Sequence, residues 1–106
     1  MLKIYLSLGL LLGMTTMSFG APESHPTIAA EQLPQSLQVS WQANKPGLGP
    51  FGHCAAAFDS SSDPSKMAFA CSIYVKLSAV AARRAVQHCD EQRKARSINA
   101  PCQVVQ

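Results

Sequence analysis

The chain has 106 residues, 47% hydrophobic and 14% charged, with four cysteines and a formal net charge of +3. That length holds one small domain, and so mild a positive charge gives no case for nucleic acid as a partner. A core of this size buries a modest share of its surface and usually needs staples.

Lys3 precedes an apolar run from Ile4 to Leu12, and Ser18 and Gly20 are small residues just before Ala21. This is the layout of a secretory signal peptide, residues 1–20, cut between Gly20 and Ala21. A membrane-spanning helix needs about 20 apolar residues, and Gly9, Gly13, Thr15, Thr16 and Ser18 dilute the stretch. The expected product is a periplasmic or secreted chain without a transmembrane segment after cleavage. There, Cys54, Cys71, Cys89 and Cys102 read as a disulfide framework. Charge is uneven in that product: residues 21–65 carry −3 and residues 66–106 carry +5.

Residues 21–50 read as a Pro-rich, mobile leader. Leu37, Val39 and Trp41 alternate along it, which predicts a short edge strand before the Pro/Gly-rich loop at 44–52. The domain proper is expected over residues 51–106. Two short apolar runs, "CAAAFD" and "MAFACSIYV", flank a turn from Ser60 to Ser65 and predict a hairpin whose second strand spans 67–75. Placing Asp59 opposite Lys66 as a cross-strand charge pair puts Phe58 opposite Met67 and Cys54 opposite Cys71. Facing residues are within disulfide reach.

A helix follows from Ser78, an expected N-cap, through a run rich in Ala, Arg, Gln and Lys. Ala79, Ala82, Ala85, Val86 and Cys89 mark a small-residue stripe for packing, and Asp90 and Lys94 an i,i+4 ion pair. Asn99 and Pro101 end the segment, and residues 102–106 close as a strand. Cys89 on the packed helix face then meets Cys102 at the strand's start. Of the three possible pairings, 54–71 with 89–102 fits best. The fold class is therefore α+β: a disulfide-stapled hairpin, one packing helix and a short C-terminal strand. Its β–α–β passage is expected to cross over right-handedly if both strands share a sheet.

These features, from Phe51-Gly52 through the Ala55–Asp59 strand and the Ser78–Cys89 helix to the Cys102–Val105 strand, resemble small secreted bacterial domains of unknown function. The resemblance covers about residues 51–106 and implies no activity and no site residues. Cys54 and Cys71 stand out as an addition to that pattern.

His-Cys occurs at 53–54 and at 88–89, but no close Cys-x₂₋₄-Cys spacing marks a zinc site. No Gly-x-Ser-x-Gly, Cys-x-x-Cys or paired-carboxylate pattern suggests catalysis. Neither a metal nor a cofactor is expected. The sharpest remaining feature is the basic group Arg83, Arg84, Arg93, Lys94 and Arg96, with Trp41 and Tyr74 as candidate interface anchors, although a lone Trp near a domain edge is more often a lid on the core. Two functions fit: an exported non-enzymatic protein that holds an acidic partner through this helix face, as immunity and inhibitor proteins do, or an envelope-associated structural or stress protein on anionic lipid or cell-wall polymer.

Overall fold

The computed structural model describes residues 24–106, so the expected signal peptide and its cut lie outside the described residues. Those residues build a small α+β domain with a four-stranded sheet, two α-helices and two disulfides. Strand β1 (Thr27–Ile28) leads through a 3-10 turn to helix α1 (Gln35–Asn44). Strands β2 (His53–Phe58) and β3 (Met67–Ser72), helix α2 (Ser78–Ala95) and strand β4 (Gln103–Val105) follow. The sheet order is β1-β4-β2-β3, with β1 parallel to β4 and β2 antiparallel to both neighbours. β3 and β4 thus run parallel in one sheet with β2 between them.

The hairpin register runs from Phe58 opposite Met67 to Cys54 opposite Cys71 and His53 opposite Ser72. Asp59 and Lys66 continue it through an Asp59 N–H to Lys66 carbonyl bond of 3.0 Å. Their side chains do not pair with each other. Both instead grip the connection after α2: the Asp59 carboxylate accepts the N–H groups of Asn99 and Ala100, and Lys66 Nζ donates to the carbonyls of Arg96 and Ser97.

Strand alternation divides the sheet into two packed faces. Cys54, Ala56, Phe58, Met67, Phe69 and Cys71 meet Ile28, Leu33, Leu37 and Trp41 on one side. On the other, Ala55, Ala57, Ala68 and Ala70 meet Ala85, Val86 and Cys89 of α2, with Ile98 and Cys102. Alanine is a poor strand former, yet here small side chains on both surfaces let the helix backbone lie close to the sheet. Each face carries one disulfide, Cys54–Cys71 on the α1 side and Cys89–Cys102 on the α2 side. The pairing is the expected one.

Three expectations are corrected. Residues 24–50 are no mobile leader, because Ile28, Leu33, Leu37 and Trp41 fill one of the two cores. The stretch "LQVSW" is helical rather than an edge strand: Leu37 and Trp41, four apart, point inward while Val39 is 60% exposed. In α2 the buried seam is Ala81, Ala85 and Cys89, with Ala79 exposed and Ala82 only half-buried. Spacing of four keeps a side chain near one line along the helix, and Ala81 begins that line.

Helix α2 ends by a defined motif. Ser97 takes the left-handed conformation, φ 56°, and the Ile98 N–H reaches back 2.8 Å to the Arg93 carbonyl. Ile98 is buried beside the helix it terminates. This is the Schellman arrangement, which satisfies the final carbonyls and anchors an apolar residue just beyond them.

Candidate functional site

The five basic residues, four within α2 and Arg96 at its C-cap, do not make one face. At about 100° per residue, Arg84 and Arg93 lie roughly 180° apart around the helix, while Arg83 and Lys94 share its outward side. Arg93 is held within the fold, its Nε 2.7 Å from Asp90 Oδ1 and its NH1 donating to the Ile98 carbonyl. Asp90 therefore pairs with Arg93, three residues on, and not with Lys94. Arg96 NH1 donates to the Met67 carbonyl on the outer edge of β3. Arg83, Arg84 and Lys94 remain exposed.

A shallow depression of about 690 Å³ lies between Pro64–Lys66 and Ala95–Ser97. Its two cations, Lys66 and Arg96, are turned toward backbone carbonyls of the protein itself. It reads as the seam between the hairpin turn and the end of α2.

The opposite end of the sheet is different in character. Phe51 precedes β2, Ile73 and Tyr74 follow β3, and the rung His53–Ser72 closes the ladder between them. His53 Nε2 and Ser78 Oγ lie 2.6 Å apart, which fixes the first turn of α2 to the same end. Ser78 is thus not the expected N-cap. Leu77 holds that position, without a side-chain capping bond, and Ser78 spends its hydroxyl on His53. Among the described residues, five large apolar side chains are exposed, and four of them are here: Phe51, Ile73, Tyr74 and Leu77 at 43%, 37%, 96% and 63%.

The second strand was expected to run to residue 75 but stops at Ser72. Tyr74 has φ 61°, outside the β region, so the chain leaves the ladder there and the apolar run continues into solvent. Tyr74 keeps its candidacy as an interface anchor. Trp41 loses it, since it is 8% exposed and belongs to the core.

The His53–Ser78 contact has the reach of a base and a nucleophile. A catalytic pair also needs a group that orients the imidazole, and among the described residues no hydrogen bond reaches His53 Nδ1. The contact acts here as a tie between β2 and α2. All four cysteine sulfurs are in disulfides, and the described residues hold no cluster of three His, Cys, Asp or Glu side chains fit for a metal ion. None of their helices is long and apolar enough to cross a membrane. The disulfides are compatible with an oxidising compartment.

Charge is unevenly spread along the chain, with exposed Glu31, just after β1, lying toward the same end of the sheet as His53. From Ile73 to Cys89 the chain carries Lys76, Arg83 and Arg84 and no acid. Toward the other end Asp59, Asp63, Asp90 and Glu91 offset Lys66, Arg93, Lys94 and Arg96. No known protein family, curated protein or solved structure matches the chain.

Proposed function

We propose that this is an exported, non-catalytic binding domain that holds to an anionic surface of the cell envelope, periplasmic or external, by the end at which α2 begins. The observation that carries the reading is the group of exposed apolar side chains at that end together with Lys76 and Arg84, in a stretch from Ile73 to Cys89 that carries no acid. A surface of lipid head groups or acidic wall polymer attracts such an end and leaves the rest of the molecule indifferent. A grip on an acidic protein by all five basic side chains is less favoured, since Arg93 and Arg96 are engaged within the fold. The likeness to small secreted bacterial domains of unknown function belongs to the same proposal and supports export rather than any activity.

The test is cosedimentation of the oxidised protein with wall sacculi and with phosphatidylglycerol vesicles over a salt series. Binding to either is expected to weaken as salt rises, and the double substitution Lys76→Glu with Arg84→Glu to reduce it strongly. Retention that ignores both salt and charge reversal removes the reading.

A further inference from the structure

Two residues at the basic end break local rules and gain nothing inside the molecule. Tyr74 sits at φ 61°, a region that Gly or Asn occupies readily and a bulky residue does not. Strain of this kind is normally offset by contacts, yet the Tyr74 side chain is 96% exposed. Leu77 takes the N-cap position of α2 in extended backbone, φ −126° and ψ 124°. Asn, Asp or Ser there would bond a free N–H of the first turn, whereas the Leu77 side chain makes no such bond and is 63% exposed. Departures from local preference without internal compensation mark surfaces kept for something outside the protein.

We propose that Phe51, Ile73, Tyr74 and Leu77 form an insertion tip that enters the interfacial layer of an anionic lipid bilayer, with Lys76 set against the headgroup phosphates. This rests on the reading above and names lipid as the surface. The four residues lie on loops beyond the ends of strands and before a helix, and Tyr74 and Leu77 are the most exposed of them. Apolar and aromatic residues at such a tip settle about 5–10 Å into the headgroup and acyl boundary, and tyrosine favours that layer because its ring is apolar and its hydroxyl wet. The stretch from Ile73 to Cys89 itself carries no carboxylate for anionic head groups to repel. A hydrated wall polymer would recover none of the apolar area. A second copy docked tip to tip would bring like charges together.

The base of the tip is rigid. Cys54–Cys71 closes the rung directly behind His53–Ser72, and the Ser78–His53 bond ties in the helix start. Little order has to be imposed on binding, so apolar transfer converts to affinity with small loss.

The test turns on an opposition of signs. Tyr74→Asn and Leu77→Asn each relieve a local mismatch, so each is expected to raise the melting temperature, by roughly 4–8 °C in a domain this size. Each also removes an inserting side chain and is expected to weaken partitioning onto phosphatidylglycerol vesicles about tenfold. In Tyr74→Trp, brominated lipid is expected to quench the new indole and spare buried Trp41. Asn variants that bind vesicles like the unaltered protein, with the introduced indole unquenched, overturn the insertion and leave the charge-based reading standing. Binding to sacculi but not to vesicles does the same. No binding to either surface fails the underlying reading as well. A concentration-dependent dimer abolished by Tyr74→Asn, with vesicles absent, overturns the proposal in favour of a second copy.

Discussion

The carboxylate of Asp59 accepts the backbone N–H of Asn99 at 2.7 Å, joining the end of the hairpin to a segment 40 residues later. Its other oxygen takes the Ala100 N–H at 2.8 Å. Two peptide groups that follow the end of α2 are thereby satisfied by one side chain, and Ala100 is placed against the core on the α2 side.

That contact makes folding sensitive to acid. The Asn99 N–H first, then that of Ala100, hold the Asp59 carboxyl below its ordinary value of 3.8, with Lys66 and Arg93 adding attraction against partial desolvation. A carboxyl depressed in the folded state stabilises fully above its unfolded value and loses that contribution as pH falls through the folded one. Asp59→Asn keeps one acceptor and loses the charge. Its melting temperature is expected to lie below that of the unaltered protein at pH 7, and the gap to close as pH drops below 3.8. A constant gap down to low pH would show that the charge contributes nothing. Asp63, depressed through its bonds to Ser65, remains in both proteins and leaves a shared acid sensitivity.

The two disulfides serve different layers, so their removal is expected to be close to additive. Each closes a short loop, Cys54–Cys71 over a separation of 17 and Cys89–Cys102 over 13. The chain-entropy estimate for such loops is about 3 kcal/mol each, a large share of the stability of a small domain. Replacing either pair by Ala is expected to lower the guanidinium midpoint clearly, and replacing both to leave little folded protein at 37 °C. Unfolding curves with and without reductant check it. An unchanged midpoint in reductant would mean that apolar packing suffices alone.

Ser97 occupies the left-handed position at the end of α2, φ 56°, with an exposed side chain. Its Cβ gains nothing there that glycine would lose. Ser97→Gly is expected to stabilise the domain by about 1 kcal/mol, read as a rise in melting temperature. A fall would show that added freedom of the unfolded chain outweighs the relieved strain.

Much of this architecture could be read from residue types and spacing. The hairpin register followed from setting Asp59 opposite Lys66, and the backbone does pair them. Their side chains serve another purpose, gripping the chain after α2, a long-range role that no local pattern announces. In the α1 segment Leu37, Val39 and Trp41 satisfy an alternating period, while Leu37 and Trp41 alone satisfy a helical one. Pro34, just before the first helical residue, is the local signal that favours the helix. The basic group looked like one surface because it was counted along the chain, whereas rotation around the helix sends Arg93 toward Asp90 and Ile98. The exposed end was hidden inside an apolar run that reads as strand. A bulky residue in left-handed backbone, as at Tyr74, leaves no mark in composition or period.

The last prediction concerns the open edge of the sheet. β3 is an outer strand, and an unpaired strand edge is a template for association with other chains. In this protein α2 shields part of it. Gln92 Oε1 accepts the outward N–H of Phe69 at 2.9 Å, and Arg96 donates to the outward carbonyl of Met67. Gln92→Ala strips the Phe69 N–H of its partner in a half-buried setting, which is expected to cost about 1–3 kcal/mol. It also bares the strand, so light scattering during heating is expected to begin at lower temperature than the loss of stability alone accounts for. Gln92→Glu keeps an acceptor at the same reach and should restore both readings toward the original. If Gln92→Ala melts early without added scattering, the side chain stabilises the helix–sheet contact but does not guard the edge.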